Sequence, residues 1–124
     1  MTRLIKQADA KRLELPGRTS LEPVSGALGS RVSFRIAEIA PPKPGAPPRG
    51  PHLHNDFEEC IYVLSGQGAM HTECGVFNAG PGDILLVPAG EKHMTVNTGS
   101  ELLRLLCFFP VPDVTAGTTE FKSF

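Results

Sequence analysis

Three histidines and one glutamate stand at spacings that suit a divalent metal site. His52 and His54 are two residues apart, Glu59 follows shortly, and His93 ends the downstream segment Pro-Ala-Gly-Glu-Lys-His. The chain has four histidines in total, so three of them belong to this pattern. Imidazole suits Zn, Cu, Fe and Ni, and a carboxylate extends the range to Mn. These residues therefore predict a site for Mn, Fe, Ni or Zn.

The local sequence explains how these side chains could converge. Residues two apart on a strand share a face, so His52 and His54 point the same way. Glu59 is an odd number of residues from His54, and a regular strand would send it to the opposite face. We expect a turn or bulge at Asn55-Asp56 to restore the inward direction.

The fourth ligand must arrive from another strand, after a tight turn. Pro88 fixes φ, and Gly90 can adopt a positive φ, so this Pro-x-Gly turn aims the strand that carries His93. Four protein ligands on an octahedral ion would leave about two positions open to water or substrate. Such a site would be a working site rather than a closed structural one.

Composition restricts the class of protein. A chain of 124 residues is one domain, and a net charge of −1 with mixed signs gives no reason to expect a nucleic-acid or acidic-lipid partner. Neither a signal peptide nor a membrane span is predicted, which favours a cytoplasmic protein. The cysteines, Cys60, Cys74 and Cys107, are odd in number and lack CxxC spacing, so we expect packed side chains rather than disulfides or thiolate ligands.

The pattern along the chain is one of short strands and turns. Residues 31–39 alternate, which predicts a half-buried strand with Val32, Phe34 and Ile36 on one face and Ser33 and Arg35 on the other. A proline-rich stretch at 41–51 predicts a stiff extended loop.

Further strands are expected downstream. We expect them at 83–87, 93–97 and 102–109, with turn residues at Gly75 and at 78–82. The last strand is almost entirely apolar, so it is predicted to be buried on both faces or covered by a second subunit. Six or more short strands favour an all-β barrel or sandwich.

Two spaced patterns resemble the cupin superfamily. The first, His-x-His-x4-Glu-x6-Gly, runs from His52 to Gly66, although Ala46 stands where the family has a leading glycine. The second family pattern is matched in full by Gly82, Pro88, Gly90, His93 and Asn97. The fifteen residues between Gly66 and Gly82 resemble the spacer of small microbial single-domain cupins.

The resemblance implies a fold more sharply than an activity. It implies a double-stranded β-helix (a jelly-roll barrel) as one domain over 1–124, with an N-terminal arm at 1–30, a barrel core at about 31–110 and a C-terminal tail at 111–124. It also implies a metal held by the three histidines and Glu59. Cupins include dioxygenases, isomerases, lyases and sugar-binding domains, so the reaction stays open. A metal-dependent dioxygenase is the leading hypothesis. A non-redox isomerase or lyase, or a module that binds a sugar or small acid, is the alternative.

The strand parity predicts what surrounds the metal. Glu59 is preferred to Glu58 because the six-residue step to Gly66 fits the first pattern and places Ile61 and Val63 on the same inward face. Hairpin pairing across Gly66 would add Met70 and Thr72 to the pocket and turn His71 outward. No general base beyond the ligands is evident. The apolar strand at 102–109 and the Phe121/Phe124 tail predict a homodimer.

Overall fold

The computed structural model describes residues 1–46 and 49–124. Over these residues the chain forms eleven strands in two antiparallel sheets, with 3-10 turns at Gln7–Asp9, Gly26–Leu28 and Thr115–Gly117. The strands are β1 (Lys11–Leu15), β2 (Arg18–Val24), β3 (Ser33–Ile39), β4 (His52–His54), β5 (Glu59–Ser65), β6 (Gly68–Thr72), β7 (Gly75–Ala79), β8 (Ile84–Val87), β9 (His93–Asn97), β10 (Leu103–Phe109) and β11 (Thr118–Glu120). The predicted all-β architecture is confirmed.

Both ends of the chain enter the two sheets. One sheet has six strands in the order β1-β2-β3-β10-β5-β8, and the other has five in the order β11-β4-β9-β6-β7. The segment before residue 31 thus supplies β1 and β2, and the segment after residue 110 supplies β11, which pairs with β4. Nothing in the described residues forms a helix that is long and apolar enough to cross a membrane.

The buried face of β3 begins with the polar residues Ser33 and Arg35 rather than with apolar ones. Ser33, Arg35, Ala37 and Ile39 are buried, while Phe34 and Ile36 lie on the outer face of the six-stranded sheet. The predicted strand forms over Ser33–Ile39, and its buried face is the one that carries Ser33 and Arg35 rather than Phe34 and Ile36. The inner polar groups find partners, since the Ser33 hydroxyl donates to the Val111 carbonyl at 2.7 Å. A strand with satisfied polar groups on its inner face does not reveal that face by hydropathy.

The chain changes sheets at the turn near Gly66, so the expected hairpin is wrong. β5 pairs with β10 and β8, whereas β6 pairs with β7 and β9. Gly66 takes a φ of +88° at this corner. A side chain at its α-carbon would meet the backbone of Leu102 and Leu103, so only glycine fits without displacement. The two facing sheets still turn Ile61 and Met70 toward the same interior.

Two other local predictions differ in outcome. Asn78 and Ala79 belong to β7 rather than to the predicted turn at 78–82, because β6 pairs with β7 as far as Ala79. The Pro-x-Gly turn is confirmed, since Gly90 has a φ of +80° and its amide donates to the His54 carbonyl at 2.8 Å. Pro47 and Pro48, within the predicted stiff loop at 41–51, lie outside the described residues.

The core lies between the two sheets. Its apolar side chains come from the inner faces of both sheets and from the segment after β10. They include Ala37, Ile39, Phe57, Ile61, Val63, Met70, Ala79, Val87, Leu103, Leu105, Cys107, Phe109 and Val114. At one end of this core the apolar packing gives way to a cavity lined by the predicted ligands.

Candidate metal centre

The four predicted ligands come together inside the barrel. His52 and His54 lie on β4. His93 is the first residue of the neighbouring β9 and pairs with His52. Glu59 is the first residue of β5 in the opposite sheet. All four are buried, and one ligand atom from each lies within 4.8 Å of the others. Because Glu59 belongs to the facing sheet, it points inward without a register change along β4. The alternative ligand, Glu58, is exposed.

Hydrogen bonds from the Nδ1 atoms fix the orientation of two of the histidine rings, His93 and His54. The Nδ1 atom of His93 lies 2.9 Å from the Glu91 carbonyl, which can only accept, so Nδ1 carries the proton. The Nδ1 atom of His54 lies 2.9 Å from the Thr118 hydroxyl, whose own proton goes to the Val114 carbonyl at 2.6 Å. His54 therefore donates as well. In a neutral ring each remaining Nε2 atom then carries a lone pair.

These lone pairs converge on an acceptor rather than on a donor. The Nε2 atoms of His54 and His93 each lie 3.2 Å from Oε1 of Glu59. Three acceptors at this distance need a cation among them, either protons on the rings or a metal ion. Two ligands about 2.1 Å from one ion and at a right angle are about 3 Å apart, which matches this spacing.

The electrostatics favour the protonation states that bind a metal. Burial lowers the pKa of His52 to about 2, and the nearby charges of His93 and Arg18 add to this, so the ring is neutral. Its Nδ1 atom is buried and has no hydrogen-bond partner among the described residues. Burial alone would raise the pKa of Glu59, but in the metal-free protein hydrogen bonds from protons on the His54 and His93 rings outweigh it and hold the pKa well below its usual range. A metal ion would replace those protons. Neutral imidazoles and an ionised carboxylate are the forms that ligate.

A cavity of about 130 Å³ opens beside these residues. Of the four predicted pocket residues, Ile61 lines it. Val63 and Met70 are buried in the core but do not line it, and Thr72 is partly exposed, with its hydroxyl donating to the Gly75 carbonyl. The cavity is at the histidine end of the barrel, and Val63 lies further along β5 toward the other end. His71 is likewise absent from the described residues that line the cavity.

The structure adds residues that the sequence did not single out. Three arginines line the cavity, namely Arg18 from β2, Arg35 from β3 and Arg49 from the segment before β4. Thr118 and Glu120 line it from β11. Arg49 precedes His52 by three residues, and this proximity was an available signal. The positions of Arg18 and Glu120 follow only from the pairing of β2 and β11 with the sheets.

The residues present fit a divalent transition ion. Three imidazoles and a carboxylate, all buried and converging, form a donor set that suits Mn, Fe, Ni or Zn. The histidine protons point outward to Thr118 and Glu91, as in metal sites where a second partner orients the ligating ring. The site thus has the donors, the orientation and the charge state that a metal requires.

This chain belongs to the cupin family. A family model described as a cupin domain matches residues 40–109, which is more than half of the 124 residues. Together with the two facing sheets, this confirms the double-stranded β-helix. No curated protein matches the chain by sequence.

Several solved structures share the fold. An oxalate decarboxylase from Lactobacillus farciminis, described as a formate complex, has a TM-score of 0.75 and 24% identity over 92% of this chain. A variant of Bacillus subtilis oxalate decarboxylase has a TM-score of 0.76 and 21% identity over 93% of this chain. The polyketide cyclase RemF from Streptomyces resistomycificus has a TM-score of 0.69 and 24% identity, and covers 88% of this chain and 79% of its own. The chain spans only 34% and 31% of the two decarboxylases.

Proposed function

We propose that this cupin is a metal-dependent protein that binds a small oxygenated organic molecule at His52, His54, Glu59 and His93. The observation that carries the proposal is the convergence of Glu59 with two histidine nitrogens whose protons point away from it. A bound ion would polarise a substrate oxygen or act as a redox centre for O₂. Mn is a reasonable candidate, because a described neighbour, Bacillus subtilis oxalate decarboxylase, has Mn(II) centres.

The chain's own residues would bind and enclose the substrate. Ile39, Ile61 and Leu105 give the cavity an apolar wall, and Phe109 closes it near Arg35, whose guanidinium carbon lies 5.8 Å from the ring centroid. Such a wall excludes water around the reacting atoms and thereby strengthens the electrostatic contacts made there. A cavity of about 130 Å³ favours a small substrate.

Oxygenation is the reaction we place first. The donor set accepts redox-active ions, and the cavity is shielded by apolar side chains. A non-redox isomerase or lyase is the second candidate, and one observation favours it. Glu120 lines the cavity with its side chain 46% exposed, so it can exchange protons with solvent and could serve as a general acid or base. The two solved neighbours named as a decarboxylase and a cyclase show that this fold supports chemistry other than oxygenation.

Metal analysis and oxygen consumption test the proposal. Protein purified without an affinity tag should contain about one divalent ion per chain, and the double variant His52→Ala/His93→Ala should lose it. His71→Ala is the matched control and should keep the metal, because His71 lies outside the cavity. Metal content that is unchanged in the double variant would refute the site.

The bound ion and the oxygen signal then separate the reactions. Fe, Mn or Cu with substrate-dependent O₂ uptake supports the dioxygenase. Tightly bound Zn without uptake supports an isomerase, a lyase or a binding module that senses a sugar or small acid. Loss of turnover in Glu120→Gln with unchanged metal content and unchanged substrate affinity would favour the isomerase or lyase, since the proton carrier is then the group whose loss matters.

We further propose that two copies pair through the outer face of the six-stranded sheet. The strand register places five apolar residues in a row across β2, β3, β10, β5 and β8, and a second row lies beside it. The first row is Leu21, Ile36, Leu106, Tyr62 and Ile84, and the second is Val24, Phe34, Phe108, Cys60 and Leu86. Ile84 and Leu86 are 67% and 64% exposed. A continuous apolar face of this kind marks an interaction surface, and a second copy of the chain would offer the same apolar face to cover it.

Sedimentation at micromolar concentration tests the dimer. Ile84→Asp with Leu86→Asp should give monomers, because both side chains are exposed and their replacement leaves the core intact. Phe77→Asp is the matched control, since Phe77 is 50% exposed on β7 of the other sheet. A monomeric wild type would refute the dimer. Phe121 contributes less than predicted, because it already packs under Lys92, whose ammonium lies 4.3 Å from the ring centroid.

A further inference from the structure

The three arginines around the cavity differ in how well their charges are matched. The Nε atom of Arg35 lies 2.7 Å from a Glu22 carboxylate oxygen, and both side chains are buried. Its Nη2 atom also donates to the Thr115 hydroxyl at 3.2 Å. Arg35 is therefore fixed in place by partners within the barrel.

Arg18 has a much weaker partner. Its Nη2 atom lies 4.0 Å from the Glu120 carboxylate, although the Arg18 side chain is only 12% exposed. Its Nη1 atom donates to the Pro16 carbonyl at 2.9 Å, which contributes no charge. Burial lowers the pKa of Arg18, which reflects a cation removed from water without a close counter-ion.

Arg49 has no ion pair of this kind among the described residues, although the charge of Glu120 acts on it. Its Nε atom is buried and has no hydrogen-bond partner within 1–46 and 49–124. Burial lowers the pKa of Arg49 to about 10, and the like charge of Arg18 lowers it further. The stem of Arg49 packs against Gly17 in the turn between β1 and β2, a contact that a side chain at Gly17 would block. Two guanidinium groups are thus held near each other despite their repulsion.

With a divalent ion bound, the charges around the cavity would sum to a net positive charge that an anion could balance. The three arginines are matched in number by Glu22, Glu59 and Glu120. A divalent ion held by Glu59 and the histidines would then add two positive charges with no protein group to balance them. Buried charge without a partner is costly, so a ligand that brings negative charge is strongly favoured.

We propose that Arg18 and Arg49 bind the carboxylate of a small organic acid, placing it beside the metal. The inference rests on the proposed metal-dependent function and names its substrate class. A guanidinium offers donors in a plane that matches the two oxygens of a carboxylate. The apolar wall at Ile39, Ile61 and Leu105 indicates an organic body attached to it.

A titration of the Mn(II)-loaded protein tests this assignment. Glycolate and malonate are compared with glycolamide and malonamide, which have nearly the same shape but no charge, and with inorganic phosphate. Calorimetry gives the affinity, and the electron paramagnetic resonance spectrum of Mn(II) reports whether the ligand reaches the metal. The acids should bind and the amides should not.

Arg18→Gln and Arg49→Gln should each weaken acid binding by about 10- to 100-fold, since each removes a charge-assisted contact. Arg31→Gln is the matched control, because Arg31 is exposed and its replacement changes the net charge equally. Circular dichroism checks the fold, which the loss of one of two repelling cations should leave intact. Metal content should be unchanged in all three variants.

The outcomes separate this inference from the function on which it rests. Stoichiometric metal with equal affinity for acids and amides, or with arginine variants that bind acids normally, would overturn the carboxylate site alone. Tighter binding of phosphate would overturn the carboxylate assignment. If the wild type binds no metal, the proposed function fails. The same calorimetric titration on metal-free protein then decides on the arginines, which are supported if their variants lose acid binding and overturned if they do not.

Discussion

Removal of the Thr118 hydroxyl group on β11 should lower the affinity for the metal, although Thr118 is not itself one of the predicted ligands. The Thr118 hydroxyl accepts a hydrogen bond from Nδ1 of His54 and donates one to the Val114 carbonyl. Thr118→Val keeps the size of the side chain and removes both bonds. The His54 ring then loses the partner that fixes its proton on Nδ1, so Nε2 is no longer reserved for the metal.

The expected size follows from these two bonds. Loss of a second partner of a ligating histidine typically costs 10- to 100-fold in metal affinity, which is about 1.4 to 2.7 kcal/mol. The Val114 carbonyl keeps the Gly117 amide as a donor, so each of the two lost hydrogen bonds should lower the free energy of unfolding of the metal-free protein by only about 0.5–1.5 kcal/mol. Metal affinity and metal-free stability should therefore both fall.

A competition titration with a chromophoric chelator measures the affinity, and thermal unfolding in excess chelator measures the stability. Thr118→Ser should behave as wild type, because it keeps the hydroxyl. Thr119→Val is the neighbouring control, whose hydroxyl donates to Asn55 at the exposed edge of β11. Unchanged metal affinity in Thr118→Val would refute the assignment of the His54 tautomer, whatever happens to stability.

Three further predictions concern the metal-free protein. Because the pKa of His52 is lowered in the folded protein, the unfolded chain binds a proton near pH 6.5 that the folded chain does not. Thermal melts in excess chelator should therefore show that the free energy of unfolding falls by about 1.4 kcal/mol for each pH unit below 6.5. The lowered pKa of Glu59 adds a loss as the pH falls below 4.5, and a flat profile from pH 8 to 3 would contradict both. Burial raises the pKa of the Cys107 thiol, so a disulfide reagent at pH 8 should label exposed Cys74 at once and Cys107 only on unfolding, as peptide mass mapping would show. Gly50→Ala should lower the melting temperature, because its new methyl group would overlap the Phe121 carbonyl; a normal melt would show that the C-terminal segment yields at little cost.

The four residues of the candidate metal site could be predicted from sequence because their chemistry is local. A His-x-His pair shares a face by strand parity, and the turn at Gly90 has the positive φ that its position required. The inward direction of Glu59 was expected from a turn or bulge at Asn55-Asp56, but the physical reason is different. β4 and β5 lie in facing sheets, so no bulge is needed to reorient the carboxylate.

The rest of the site depended on pairing that one sequence does not reveal. Arg35 was set against the apolar face of β3, yet it points inward because Glu22 of the neighbouring β2 neutralises it. The role of Thr118 depends on a three-residue strand, β11, whose short length gives no periodicity to read. In both cases the signal lies in a partner distant along the chain, and hydropathy within one segment cannot contain it.

This division between local and distant signals has a functional consequence. The ligands lie in segments whose local sequence matches two family patterns, whereas the groups that would contact the substrate come mostly from outside them. Arg18 belongs to β2 and Glu120 to β11, and the two approach each other across the mouth of the cavity. The strands near the two ends of this chain therefore add groups beside the candidate ligands that the two family patterns do not contain. For this chain, those ends supply a buried cation and a half-exposed carboxylate beside the metal ligands, which is the combination that an acidic substrate and a proton transfer would require.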